Sequence, residues 1–247
     1  MAISGYNITI LANIILWFCV FFLPRKKAFW IVLCILGLFV ILTGAQASVV
    51  RAAIMGVLIL YAHNQGRLSS PVNALALTAV IMVGISPMIL RYDIGFQLSF
   101  MATIGLIYLG PIIDSYLYKI PNHWKLRETA VMTISAQIAV LPLILFYFGT
   151  LSLVSVPTNI LILPIIPWAM LIGFITGLSG FILLILGKII GYIAWLMSSV
   201  IIAIVHFMAG LTGAVIGVRF PWYLVVICYV IFIAFLWRYD RTRRKNI

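Results

Sequence analysis

The side chains of this sequence that could do chemistry gather in one short run, Asp93-Ile94-Gly95-Phe96-Gln97-Leu98-Ser99-Phe100. At helical spacing Asp93 and Gln97 lie one turn apart on one face, with Phe96 and Phe100 one turn apart beside them. Together they offer one negative charge, amide and hydroxyl hydrogen bonds, and two flat apolar rings. If the run lies in a bilayer, such groups need another helix, a watery cavity or a substrate to satisfy them. The residue types alone allow two readings: a polar path through the membrane, or Gln97 and Ser99 acting as glue between helices.

Other polar residues fall inside apolar surroundings. Arg51 would cost about 2.5–3.5 kcal/mol at the centre of a spanning helix, and less near an end where it snorkels. It therefore snorkels, pairs with a carboxylate or meets a substrate anion. The chain has four acidic residues, and Asp93 is the one expected on the same, outer, side as Arg51. Gln137, Asn159 and Asn73 are further amides at membrane depth. Singly each reads as interhelical glue, worth about 0.6 kcal/mol on average; with Gln97 and Ser99 they could line a path.

A search for enzyme chemistry is short. His63, His123 and His206 are scattered, with no HxH or HxxxH pair to hold a metal. The chain has no glycine-rich phosphate loop, no G-x-S-x-G elbow and no paired carboxylates for acid–base work. Cys19, Cys34 and Cys228 all sit in apolar runs without ligand spacing and read as small hydrophobes. The expectation is a chain with no catalytic residues, no metal and no cofactor.

The elements that position these residues follow from composition. Of the 247 residues, 65% are hydrophobic and 8% charged, against about 25% charged in a soluble domain. Several apolar runs approach the roughly 20 residues that a helix needs to cross the hydrocarbon. The fold class is an all-α polytopic membrane protein of about nine transmembrane or broken helices. Residues 1–237 form the transmembrane domain, expected to be truncated on its N-terminal side, and 238–247 a basic cytoplasmic tail.

Helices are expected over Ser4 to Leu23, Ala28 to Thr43, Ser48 to His63, Val72 to Ile85, Asp93 to Gly110 and Thr129 to Phe148. Pro157, Pro164 and Pro167 should break the next region, Val156 to Gly177, into kinked or half-helices. An overlong run from Phe181 to Gly210, which carries Lys188, is expected to begin as an interfacial piece before it spans, and Trp222 to Trp237 is the last span. Gly173-x-x-x-Gly177, Gly187-x-x-x-Gly191 and Gly213-x-x-x-Gly217 have spacing that permits close helix approach.

With nine crossings and the N-terminus outside, 13 of the 16 Lys and Arg residues fall on the inner side. Basic residues collect there in membrane proteins generally. The formal charge of +12 is thereby explained without a nucleic acid. Arg51, Arg91 and Arg219 are the three left over.

The run from Asp93 to Phe100, followed by Ala102-Thr103 and Gly105-Leu106, resembles the signature of the ComEC competence family of inner-membrane DNA-uptake channels. Ser48-Val49-Val50-Arg51-Ala52 with Met55 is similar to its S-x-x-R-A-x-x-M element, and Met1-Ala2-Ile3-Ser4-Gly5 to the end of its H-L-x-A-I-S-G-x-H motif. Gly66-Arg67, Asn73 to Ala76, Ser86-Pro87, Ala136-Gln137, Leu141-Pro142, Phe148-Gly149, Ser152, Pro157, Asn159 and Pro164 follow in the family's order. The likeness covers most of Met1 to about Pro167; beyond it the agreement is mainly one of hydropathy.

The resemblance implies a multi-pass protein of the bacterial cytoplasmic membrane that passes single-stranded DNA inward during natural transformation. It implies a competence DNA receptor and a cytoplasmic helicase as partners besides the lipid bilayer, and leaves the oligomeric state open. On this reading Arg51, Asp93, Gln97, Ser99, Gln137 and Asn159 line the DNA path, and Phe96 and Phe100 give faces for base stacking. Asp93 would hold Arg51 in place. The family's Leu-His after Ile-Ser-Gly is Tyr6-Asn7 here, so a role for that histidine does not carry over. Nor does the nuclease activity of longer members, since the chain has no H-x-H-x-D-H motif. The competing classes are a small-solute or lipid transporter built on the proline-broken region and an intramembrane enzyme using Asp93.

Overall fold

A computed structural model of the chain describes residues 25–66, 70–118, 126–211, 213, 215–218 and 220–245. The expected first helix from Ser4 to Leu23 lies outside these residues, with the Met1–Gly5 motif, Tyr6, Asn7 and Cys19. So do Arg67, Lys119, His123, Lys125 and Arg219. Two compact units divide the chain, the first ending at Thr103 and the second beginning at Ile104.

In the first unit, α1 (Arg25–Leu42) and α2 (Ala47–Asn64) pack against each other. The reversal between them needs two consecutive left-handed residues, Gly44 (φ 72°) and Ala45 (φ 52°). It is held by the Ala45 N–H, which donates to the Val40 carbonyl at 2.9 Å. Val32, Leu36, Val49 and Ala52 close the core of this pair, with Phe39, Val40, Val57 and Leu60 against it. Next comes α3 (Pro71–Ile85), with Ser70 as its N-cap and Pro71 at its start, where a missing N–H costs nothing. Ser86 ends it, and the single turn α4 (Ile89–Tyr92) leads to α5 (Ile94–Leu117). The boundary between the units falls within α5.

Pro111 does not end α5 at Gly110 as expected; the helix runs through it to Leu117. Ile112 beyond the proline is buried, so packing carries the helix past one lost hydrogen bond. In the second unit α6 (Leu126–Phe148) likewise contains Pro142.

The proline-rich region breaks as the sequence indicates. The helices α7 (Ser155–Ile162) and α8 (Ile166–Ile182) meet at a 50° bend, with Pro164 in the break. The run from Phe181 to Gly210 is not one piece: Leu183 separates α8 from α9 (Leu184–Ala209), and the two helices pack along each other. Two three-residue strands, β1 (Thr150–Ser152) and β2 (Val215–Gly217), pair antiparallel with Thr150 opposite Gly217. Gly149, at φ 62°, makes the turn from α6 into β1. The last helix, α10 (Trp222–Lys245), does not stop at Trp237; its apolar window is Trp222–Tyr239, and the basic residues beyond it continue the helix.

Among the described residues, four helices are long and apolar enough to cross a membrane, or five if the bent pair counts as one span. Trp30–Leu42, Ala47–Ala62 and Pro71–Ile85 are shorter apolar helices. The described residues thus form an all-α membrane architecture; their lengths do not confirm the count of about nine transmembrane or broken helices.

Candidate functional site

Arg51 stands near the start of α2, one turn from its N-terminus, with no acidic residue in that turn to offset it. A cation there meets the positive end of the helix dipole. The side chain is nevertheless buried. It is held across the first unit by α5: Arg51 Nε donates to Ser99 Oγ at 2.5 Å. One turn along its own helix, Met55 Sδ lies 3.5 Å from a terminal guanidinium nitrogen, a weak acceptor. The expected Arg51–Asp93 contact is not formed.

Asp93 instead caps α5. Its Oδ1 accepts the Phe96 N–H at 2.8 Å, which satisfies one of the donors left open at every helix start. Gly95 leaves room for this arrangement, because a Cβ there would stand 3.1 Å from Asp93 Oδ1. Gln97 reaches back: its Nε2 donates to the carbonyls of Leu90 at 2.9 Å and Arg91 at 3.3 Å. The carboxylate thus caps α5, and the amide ties α5 back to α4 at the joint between them. One turn further along α5 the Thr103 hydroxyl donates to the Ser99 carbonyl at 2.9 Å, a back-bond within the helix.

Phe96 and Phe100 lie beside this joint, both buried, with ring centroids 4.2 Å apart and planes tilted by 32°. They stack on each other, so in this state their faces are not open to a base.

The structure therefore brings Arg51 to Ser99, and Asp93 and Gln97 to the joint before α5. Gln137 and Asn159 belong to the second unit. There Gln137 is partly buried on α6 and Asn159 is exposed on α7. Asn73 is exposed on α3.

Sequence reasoning missed an ion pair in the second unit. Arg127 Nη2 lies 2.7 Å from Asp114 Oδ1 and also donates to the Asp114 carbonyl at 3.3 Å, Nε donates to the same Oδ1 at 2.9 Å, and Nη1 donates to the Tyr118 carbonyl at 3.4 Å. The signal was present as an acid and a base flanking the polar connection between α5 and α6. Also missed was the close approach of α5 to α6 at Gly105, where a Cβ would fall 2.5 Å from the Ser135 carbonyl oxygen and from Ala139 Cβ. Among the described residues no three His, Cys, Asp or Glu gather to hold a metal.

This is an all-α membrane protein whose buried charge, among the described residues, is an arginine satisfied by a hydroxyl rather than a carboxylate. A sequence model described as competence protein matches residues 1–243, and the chain belongs to that family. It is similar to ComE operon protein 3 of Bacillus subtilis (strain 168), 32% identical over 179 residues that make up 72% of this chain and 22% of that protein. The chain thus spans about a fifth of the length of the curated relative it matches. No solved structure matches.

Proposed function

We propose that this chain is the membrane-embedded part of a DNA-uptake machine, a conduit for single-stranded DNA across the bacterial cytoplasmic membrane, with no catalytic step of its own. One observation carries the reading beyond family membership: Arg51 is buried in an apolar helix and, among the described residues, has no carboxylate partner. Keeping an uncompensated arginine there is costly. The cost is understandable if the site takes an anion, because the guanidinium and the α2 dipole attract negative charge together. Ser99 engages Nε, and Met55 Sδ is only a weak acceptor for one terminal nitrogen, so a phosphate oxygen would compete well for the far end of the guanidinium.

A strand passing this point must be held weakly enough to move on. One arginine backed by a hydroxyl meets that requirement better than a cluster of cations. Gln97, Gln137 and Asn159 would supply neutral hydrogen bonds. Phe96 and Phe100 would act first as packing at the joint and as stacking faces only after the joint opens. A competence DNA receptor outside and a helicase inside are the partners that this reading requires.

The test is uptake of labelled DNA by cells carrying the full-length protein as wild type, Arg51→Ala or Arg51→Lys, with membrane abundance measured for each. Uptake lost in Arg51→Ala and partly kept in Arg51→Lys, at equal abundance, is the expected result. Normal uptake in both variants would remove Arg51 from the DNA path.

A further inference from the structure

The helix α9 carries a stripe that the reading above leaves unused. Lys188, Tyr192, Trp195, Ser199 and His206 follow one another at spacings that return to one face of the helix. The aromatic side chains of this stripe are open: Tyr192 is 73% and Trp195 65% exposed. The face that packs on α8 is a different one. There Gly187 is buried, a Cβ on it would meet Gly180 Cα at 2.6 Å, and one on Gly191 would meet Thr176 Cγ2 at 3.5 Å.

Interfacial anchoring explains part of the stripe. Lys188 can snorkel from the start of the helix, and Tyr and Trp favour the headgroup level. Trp195, however, lies near the middle of the 26-residue helix, roughly 17 Å from its start at 1.5 Å per residue. Ser199 is one turn further on. Among the described residues the Trp195 indole finds no hydrogen-bond acceptor, and an N–H facing acyl chains at that depth is unfavourable. The stripe calls for a polar occupant with flat faces.

Resting on the conduit reading, we propose that this stripe is a second contact surface for single-stranded DNA: Tyr192 and Trp195 take bases, Lys188 takes a phosphate, and Ser199 and His206 give hydrogen bonds. Aromatic rings interleaved with a cation suit a polyanion with stacking bases. Stacking accepts every base, as a conduit for unselected sequence requires.

The experiment places photoreactive benzoylphenylalanine at position 195, 199 or 197 of the full-length protein, the last on the opposite face. Cells are irradiated during uptake of radiolabelled DNA, and uptake is measured in the same cells and in cells lacking the protein. DNA adducts at 195 and 199 about tenfold above those at 197 are expected, for a contact of stacking strength. No DNA adduct at either position, with adducts to lipid or to a second copy instead, overturns the stripe; retained, protein-dependent uptake in those cells leaves the conduit standing. Uptake unchanged in cells lacking the protein overturns both. A second measurement avoids the probe. At equal abundance Trp195→Leu should lower uptake several-fold and Trp195→Phe should restore it, whereas equal uptake in all three overturns the stripe.

Discussion

Arg51 and Ser99 face each other from two helices, the guanidinium Nε donating to the hydroxyl at 2.5 Å. Hydrogen bonds between membrane helices are worth about 0.6 kcal/mol on average and at most about 1.7. A bond to a charged donor should lie at the upper end of that range. Thermal unfolding in detergent of wild type, Arg51→Leu, Ser99→Ala and the double variant should give a coupling of about 1–1.7 kcal/mol. Additive single effects would show that the contact holds nothing together.

Asp93 is the cap of α5 rather than the counterion of Arg51, and the two roles predict different variants. A cap needs an oxygen acceptor, not a charge. Asp93→Ala should therefore cost about 1 kcal/mol, while Asp93→Asn and Asp93→Ser keep most of the stability. Hydrogen exchange at the Phe96 amide should quicken in Asp93→Ala alone. A loss in Asp93→Asn as large as that in Asp93→Ala would restore the ion-pair view.

Within the described residues, most helices and the proline break were legible because they depend on local chemistry, apolar runs and a missing N–H, whereas the cap at Ser70 was not read from the sequence. Asp93, Gln97 and Ser99 stood out in the sequence as polar groups among apolar ones, but their partners were not legible there. Opposite charge suggested Arg51 with Asp93, whereas helix geometry places Asp93 three residues before an open N–H, which it satisfies first. Gln97 is engaged by carbonyls that exist only because α4 ends just before it, a fact that no residue type announces. Gly105 was read only as part of a signature. Its contact with Ser135 and Ala139 depends on how two helices pack, information that sequence spacing within one helix does not hold.

The Arg127–Asp114 pair is half open to its surroundings, with the Asp114 side chain 49% exposed. Exposed ion pairs are worth about 0–1 kcal/mol and weaken with salt. Asp114→Asn should accordingly cost under about 1 kcal/mol at low ionic strength and nearly nothing at about 1 M salt. The Arg127 bonds to the Asp114 and Tyr118 carbonyls survive that substitution. Arg127→Ala removes them as well and should cost more at every salt concentration. Melting curves of both variants at two ionic strengths test this, and a salt-independent loss in Asp114→Asn would mean that the carboxylate is held for some reason other than its charge.

Three glycines separate close helix packing from open space. A Cβ at Gly105 would press within 2.5 Å of the Ser135 carbonyl and Ala139 Cβ, and one at Gly187 within 2.6 Å of the Gly180 backbone. At Gly173 it would meet nothing within 4 Å. The sequence pattern made Gly173 and Gly187 equivalent, each opening a G-x-x-x-G. Alanine at Gly105 or Gly187 must push two backbones apart and should cost about 1–3 kcal/mol. Gly173→Ala should be neutral or stabilising by up to about 1 kcal/mol, since alanine loses less chain entropy in a helix. Thermal stability of the three variants in detergent decides the matter. Equal effects at Gly173 and Gly187 would show that spacing alone, and not the contact at α8 and α9, governs these positions.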